Sequence, residues 1–195
     1  MNDVENFTKV IEEVDGFQPH LFEGATEKEL RAAEETLNIV FPTEFKEFYQ
    51  TYNGQNECAD ALFDGFYLCS LEQMLHHWSA LKDNEKEFLQ IESESSSGIK
   101  KIWGCSKWVP FASTADGHYL CMDFSPTEAG TIGQIITFWY NSPERERIAP
   151  SFKDFILEYT EKIRNGIYVY KQTVYKDITL GRIARKDGYP MFETE

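Results

Sequence analysis

The apolar residues of this chain change period once along the sequence and then change back, and that order restricts the fold more than any single motif does. Through the first fifty residues they recur every three to four positions: Val4, Phe7, Val10, Ile11 and Val14, then Leu30, Ala33 and Leu37, then Phe45, Phe48, Tyr49 and Tyr52. Each set covers one face of a helix. Between Trp108 and Tyr140 the period becomes two, with Leu120, Met122 and Phe124 on one side of a strand and Tyr119, Cys121 and Asp123 on the other. Helical spacing returns at Phe152, Phe155, Ile156, Tyr159 and Ile163. N-terminal helices, a central antiparallel β-sheet and a closing C-terminal helix define an α+β fold.

Local punctuation fixes the element ends. Thr26 with Glu29, and Ser70 with Gln73, have capping-box spacing. Pro42 suits the first turn of the aromatic helix, and Asn53-Gly54 reads as its stop. A short aromatic strand is expected within Leu62–Cys69, with Gly65 marking a turn, and a helix carries Leu71, Leu75, Trp78 and Leu81. Trp108-Val109-Pro110-Phe111-Ala112 reads as extended. Asn165-Gly166 ends the last helix. From Asp83 to Gly98 the chain is charged and then serine-rich, a composition that reads as a mobile surface insertion near 83–99. The expected organisation is one domain over 1–166 and an extension over 167–195 that forms an added strand or hairpin. Residues 171–190 of that extension hold five basic and two acidic side chains.

With 195 residues, 42% of them hydrophobic, the chain can bury roughly 70% of its unfolded surface without a metal or disulfide staple. No apolar run reaches bilayer length, and the first residues are acidic where a secretory signal would be basic. Cys58, Cys69, Cys105 and Cys121 lack a C-x-x-C pair, which reads as reduced thiols and a cytoplasmic location. The net charge of −14 is uneven: residues 1–99 hold 21 acidic and 6 basic side chains, whereas residues 100–195 hold 12 and 13. Such an N-terminal half is unsuited to nucleic acid or an anionic membrane and would attract a basic partner, unless its charge serves only solubility.

The chain offers few groupings that could carry catalysis. Asp116, His118 and Asp123 are close in sequence, but an odd separation along a strand sends His118 and Asp123 to opposite faces, and the same objection meets Cys121 with His118. His76 and His77 are adjacent on a helix, where a shared metal would want i, i+4 spacing. No G-x-S-x-G, phosphate-binding loop or dinucleotide fingerprint is present. Trp103, Trp108 and Trp139 read as core residues, and Lys100, Lys101 and Lys107 as a solvated rim.

Five pieces stand in a telling order: Phe41-Pro42 leading to Asn53-Gly54, Trp108–Ala112, Asp116–Asp123 with Pro126, Gly130 with Gly133-Gln134-Ile135, and Ser151-Phe152 with Phe155. Together, over about residues 20–165, they resemble the SUKH superfamily, with Phe41 in place of the usual leucine. The resemblance implies binding rather than catalysis, with no cofactor or metal. Bacterial members of the superfamily are similar to immunity proteins that block a cognate toxin, often a nuclease, and fungal members resemble partner-binding regulators of cell-wall synthesis. The expected function is therefore an immunity-type inhibitor that occludes a basic toxin domain, with a regulatory scaffold for a cellular partner as the alternative. The expected contacts come from the acidic pool Glu34, Glu35, Glu44, Glu47, Glu57, Asp60 and Asp64.

Overall fold

In a computed structural model the described residues are 2–175 and 178–187, so Lys176, Asp177 and the last eight residues of the basic extension lie outside them. Three helices open the chain. α1 (Asp3–Glu12) starts at an Asn2/Glu5 capping box and buries Val4, Phe7, Val10 and Ile11. α2 (Glu27–Leu37), preceded by β1 (Leu21–Glu23), starts at the Thr26/Glu29 box and ends on Asn38 in the left-handed conformation. α3 (Thr43–Thr51) buries Phe45, Phe48 and Tyr49, with Phe45 stacked on Tyr49 and edge-on to Phe152.

Asn53-Gly54 does not form the turn expected after α3. The chain passes directly from Thr51 into β2 (Tyr52–Gln55), which pairs antiparallel with β1. Asn53 instead spends its side chain on a later element: its Oδ1 accepts the Leu71 N–H at 2.9 Å, at the start of α4 (Leu71–Asp83). Gly54 has φ +93, and a Cβ there would lie 2.6 Å from the Ser70 nitrogen. The dipeptide is thus needed for the contact of β2 with the cap of α4, a long-range demand that a local reading takes for a helix stop.

The main sheet has five strands in the order β3 (Tyr67–Leu68), β5 (Trp108–Ser113), β6 (Tyr119–Asp123), β7 (Gln134–Phe138) and β9 (Arg147–Ala149), every pair antiparallel. Pro110 sits beside a register shift in β5, where a residue without an N–H is tolerated. One face of the sheet (Val109, Leu120, Met122, Ile135) packs on the helices, including α6 (Phe152–Arg164). The other face (Trp108, Tyr119, Cys121, Ile136, Phe138) is equally buried, under Leu81, Ile99 and Cys105 with Phe88, Ile102 and Trp103. Both sides of β6 are therefore interior, and the alternation within it separates two cores.

The stretch read from sequence as a surface insertion supplies Phe88 and Ile99 of the second cover, beside Leu81 before it and Ile102, Trp103 and Cys105 after it. It contains α5 (Glu85–Phe88) and β4 (Glu94–Ser95), the latter parallel to β8 (Glu144–Arg145). Its far end is tied down by residues of the sequence pattern. The Gly98 carbonyl accepts from Thr127 N at 3.1 Å and from Gln134 Nε2 at 3.0 Å, and the same Gln134 amide reaches Asp123 Oδ2 at 3.0 Å. Serines that cannot bury apolar surface here complete hydrogen bonds, as where Arg147 N donates to Ser96 Oγ at 2.9 Å.

Beyond α6 the chain forms an antiparallel hairpin, β10 (Tyr168–Tyr175) with β11 (Ile178–Arg185). Its inner strand lies along residues 61–64. Ala61 N donates to Gly181 O at 2.9 Å, and Asp64 N to Ile183 O at 3.0 Å. Tyr168 and Ile183 join the main core.

Candidate functional site

The groupings with catalytic potential do not converge. Asp116 is exposed in the turn before β6, whereas Asp123 is fully buried at its end, accepting from Ser125 N at 2.8 Å and Gln134 Nε2 at 3.0 Å. Burial pushes the Asp123 carboxyl above its ordinary pKa, against those two hydrogen bonds. His118 Nδ1 accepts the Tyr140 N–H at 3.2 Å, and its ring is edge-on to Trp139. His77 packs on Tyr119 at 4.9 Å, its Nε2 buried without a hydrogen-bond partner among the described residues and its pKa lowered by burial and then by His76. Cys69, Cys105 and Cys121 are buried, and burial raises all three thiols, Cys69 to about 12 and Cys105 to about 11. They are protonated and unreactive at neutral pH. Among the described residues no three His, Cys, Asp or Glu side chains gather in a form that could hold a metal ion.

The acidic pool divides into carboxylates that build the fold and carboxylates that face outward. Asp64 belongs to the first group: it is 8% exposed, sits at φ +48 in the turn between Phe63 and Phe66, and lies 4.0 Å from the Arg182 guanidinium of β11. Asp60 Oδ2 accepts the Gln18 N–H at 2.8 Å. Glu34 Oε1 accepts the Phe41 N–H at 2.8 Å and lies 3.6 Å from Lys46 Nζ, joining α2 to α3. Glu57 is exposed and accepts from Gln73 Nε2 at 2.8 Å.

Glu35 and Glu47 are exposed, and Glu44 is half-buried. Glu44 and Glu47 stand at i and i+3 on α3, Glu47 opposite its aromatic face and Glu44 on the flank of that face, which makes them neighbours. None of the three has a cation within ion-pair distance among the described residues. The nearby cations are engaged elsewhere, Arg31 with Glu27 at 3.0 Å and Lys46 with Glu34. Glu35 lines a groove of about 370 Å³ at the end of α2, together with Arg31, Glu34, Asn38, Ile39 and Val40.

Two surface features have no sequence signal. Val40 and Ile132 are 77% and 72% exposed, Val40 between half-buried Ile39 and buried Phe41, and Ile132 between exposed Thr131 and buried Gly133. Arg145 is the converse, a cation buried completely. Its Nε and Nη2 donate to Trp103 O (3.2 and 2.8 Å), and Nη1 donates to Ser142 O (2.7 Å) and Glu144 O (2.6 Å). The guanidinium also lies over the Trp103 and Phe138 rings at 5.0 and 4.5 Å. Burial lowers its pKa to about 10, so it remains charged at neutral pH. It is among the residues that line a groove of about 750 Å³ along the paired strands β4 and β8. Within Glu144-Arg145-Glu146-Arg147 nothing distinguishes it from a solvated charge.

Helices backing an antiparallel sheet, a structured second cover and outward carboxylates on α2 and α3 define an α+β domain with an acidic helical surface. The chain belongs to the SMI1 / KNR4 family (SUKH-1), whose pattern matches residues 24–158. Among curated proteins it is similar to the "Cell wall assembly regulator SMI1" of Saccharomyces cerevisiae, 22% identical over 184 residues that cover 75% of this chain and 36% of the relative. It is also similar to the "Glucan synthesis regulatory protein" of Neurospora crassa, 21% identical over 190 residues, covering 76% and 36%. The chain thus spans little more than a third of the length of these relatives. No helix among the described residues is long and apolar enough to cross a membrane.

Proposed function

We propose that this chain is a non-catalytic binding domain that controls a protein partner by covering a basic surface on it. The observation that carries this reading is the set of carboxylates on α2 and α3, exposed Glu35 and Glu47 with half-buried Glu44, that have no cation within ion-pair distance among the described residues. In water such charges add little to affinity, but they steer encounter and raise the association rate with a cationic partner. The names of the two fungal relatives support a regulatory form of this function. The charge of −15 over residues 1–99 favours the immunity-type form, because a nuclease toxin needs a cationic groove for phosphates and an acidic domain can occupy that groove.

One experiment separates these forms and tests both. The tagged full chain and its Glu35→Lys/Glu44→Lys/Glu47→Lys variant are expressed in the native host, and their partners identified. The reading expects one basic partner, held by the wild type and lost from the variant, with an association rate that falls as salt rises. A secreted toxin encoded beside the gene, whose lethality is suppressed by co-expression, establishes the immunity form; a cellular enzyme or scaffold establishes the regulatory form. Equal retention by the charge-reversed variant at all salt concentrations would refute the acidic-face mechanism.

A further inference from the structure

We propose that Val40 and Ile132 are the two apolar anchors of the docking surface, and that its occupant is a protein segment presenting a bulky apolar side chain between basic residues. The inference rests on the binding reading above and names where on the molecule, and for what chemistry, that binding occurs.

Both side chains are branched, apolar and largely exposed, and both are held on rigid backbone. Val40 lies between two residues whose N–H groups are secured by Glu34: Ile39 N donates to the Glu34 main-chain oxygen at 3.2 Å, and Phe41 N to Glu34 Oε1 at 2.8 Å. Ile132 occupies the second position of a turn closed by Gln134 N donating to Thr131 O at 3.0 Å, with Gly133 supplying φ +83 at the third position. The turn is secured on both sides, since Gly133 N donates to Asp123 O at 2.8 Å and Thr131 N to Gln134 Oε1 at 3.2 Å. Anchors held in place before binding lose little conformational entropy when covered, which is where affinity is commonly lost. Glu34, expected from sequence to touch the partner, acts here by fixing the platform.

The two anchors stand on adjoining segments. A Cβ on Gly133 would sit 3.8 Å from Pro42 Cγ, and Lys107 Nζ reaches Asn38 O at 3.3 Å, so the α2–α3 connection and the β6–β7 loop meet side by side. Chain geometry then limits the separation of the Val40 and Ile132 α-carbons to about 19 Å. A standard interface of about 800 Å² on each partner is roughly 32 Å across, so one partner covers both. Around Val40 the groove of about 370 Å³ admits a side chain.

The charge around this surface selects the occupant. Glu35 lines the groove and Glu44 stands in the first turn of α3, two residues after Pro42. Of the cations nearby, Arg31 and Lys46 are paired with Glu27 and Glu34, whereas Lys107 Nζ meets the uncharged Asn38 carbonyl, so Glu35 and Glu44 stand against one uncompensated cation. An apolar centre whose rim keeps a net negative charge favours an apolar anchor flanked by Lys or Arg over the same anchor flanked by acids.

The test uses the ¹⁵N-labelled full chain and needs no native partner. The amide spectrum is titrated with the peptide acetyl-Arg-Arg-Trp-Arg-Arg-amide, with Ala in place of Trp as the first control and Glu in place of Arg as the second. The Trp/Arg peptide is expected to bind at least about tenfold more tightly than either control. Its perturbed amides should cluster at Asn38–Phe41, Thr131–Gln134 and the first turn of α3. Val40→Ser/Ile132→Ser should abolish that tenfold preference without moving the melting temperature, because both side chains are on the surface. Perturbations centred on another face, a preference that survives the double substitution, or equal binding of the Glu-flanked peptide would overturn the proposal. So would concentration-dependent shifts at the same amides without peptide, which would assign the surface to a second copy of the chain. If the native-host experiment finds no partner while the peptide maps here, the regulatory reading fails and the site stands; a partner retained by Val40→Ser/Ile132→Ser with no peptide preference has the opposite meaning.

Discussion

Replacing Arg145 by methionine measures how far the second cover depends on one cation. Met has comparable length and no polar head, so the substitution keeps most of the volume and removes four hydrogen bonds to three carbonyls, those of Trp103, Ser142 and Glu144. A hydrogen bond to a charged group contributes about 1.5–3 kcal/mol, and all three carbonyls are only part-buried, so the lower figure applies and the three together cost about 4–5 kcal/mol. The lost contacts with the Trp103 and Phe138 rings add about 1 kcal/mol each. Against this, the folded chain no longer carries an unneutralised guanidinium out of water, which returns several kcal/mol. The expected net loss is about 3 kcal/mol, or roughly 6–12 °C in Tm for a chain of this size. Urea unfolding, monitored by the fluorescence of Trp103 and Trp108, gives the free energy. Arg147→Met, an exposed neighbour two residues away, serves as the reference and should stay within about 0.5 kcal/mol of wild type. Near-equality of the two variants would refute the reasoning, because it would mean that the carbonyls find water as readily as they find the guanidinium.

Gln55 is a second buried polar hub, its Nε2 donating to Pro19 O and Asp60 O and its Oε1 accepting from Leu62 N and Leu68 N. Gln55→Leu should cost about 2–4 kcal/mol in urea unfolding and raise hydrogen exchange first at Leu62 and Leu68. His77 has its pKa lowered by burial, so the unfolded chain takes up a proton more readily, and stability is full above the ordinary histidine range and declines as pH falls through it. His77→Leu should therefore gain on wild type as pH is lowered from about 7.5 to about 5.5, within the histidine range; parallel pH profiles for the two proteins would remove this account.

The sequence made the helices and central strands legible because their signals are local: Thr26 with Glu29, Ser70 with Gln73 and the aromatic ladder of α3 each settle their own element. Legibility failed where a residue answers to something distant. Asn53-Gly54 looked like a helix stop because its partner, the cap of α4, lies sixteen or more residues on. The stretch after Asp83 reads as irregular because its two covering residues, Phe88 and Ile99, answer to strands that come later in the chain. The candidate site suffered in the same way. Counting carboxylates cannot separate Asp64, enclosed beside Arg182, or Glu34, bonded to Phe41, from Glu35 and Glu47, which face water, or from half-buried Glu44. Val40 and Ile132 fall in segments that read as turns, where nothing local says that an apolar side chain stays exposed.

The hairpin of β10 and β11 has a consequence for how this protein is made. The family pattern ends at residue 158, yet the N–H groups of Ala61 and Asp64 are paired by carbonyls at Gly181 and Ile183, and Ile183 itself fills the main core. At ribosomal rates of about 5–20 residues per second, the segment at 61–64 waits roughly 6–24 seconds for the strand that closes it. Helices α1 to α3 can form in that interval, but the core beneath them remains open on one side until residue 183 has emerged. A gene trimmed to the family boundary would lose the second half of α6 as well as the hairpin and leave unpaired backbone along one edge of the core, so β11 governs solubility during synthesis as much as stability afterwards.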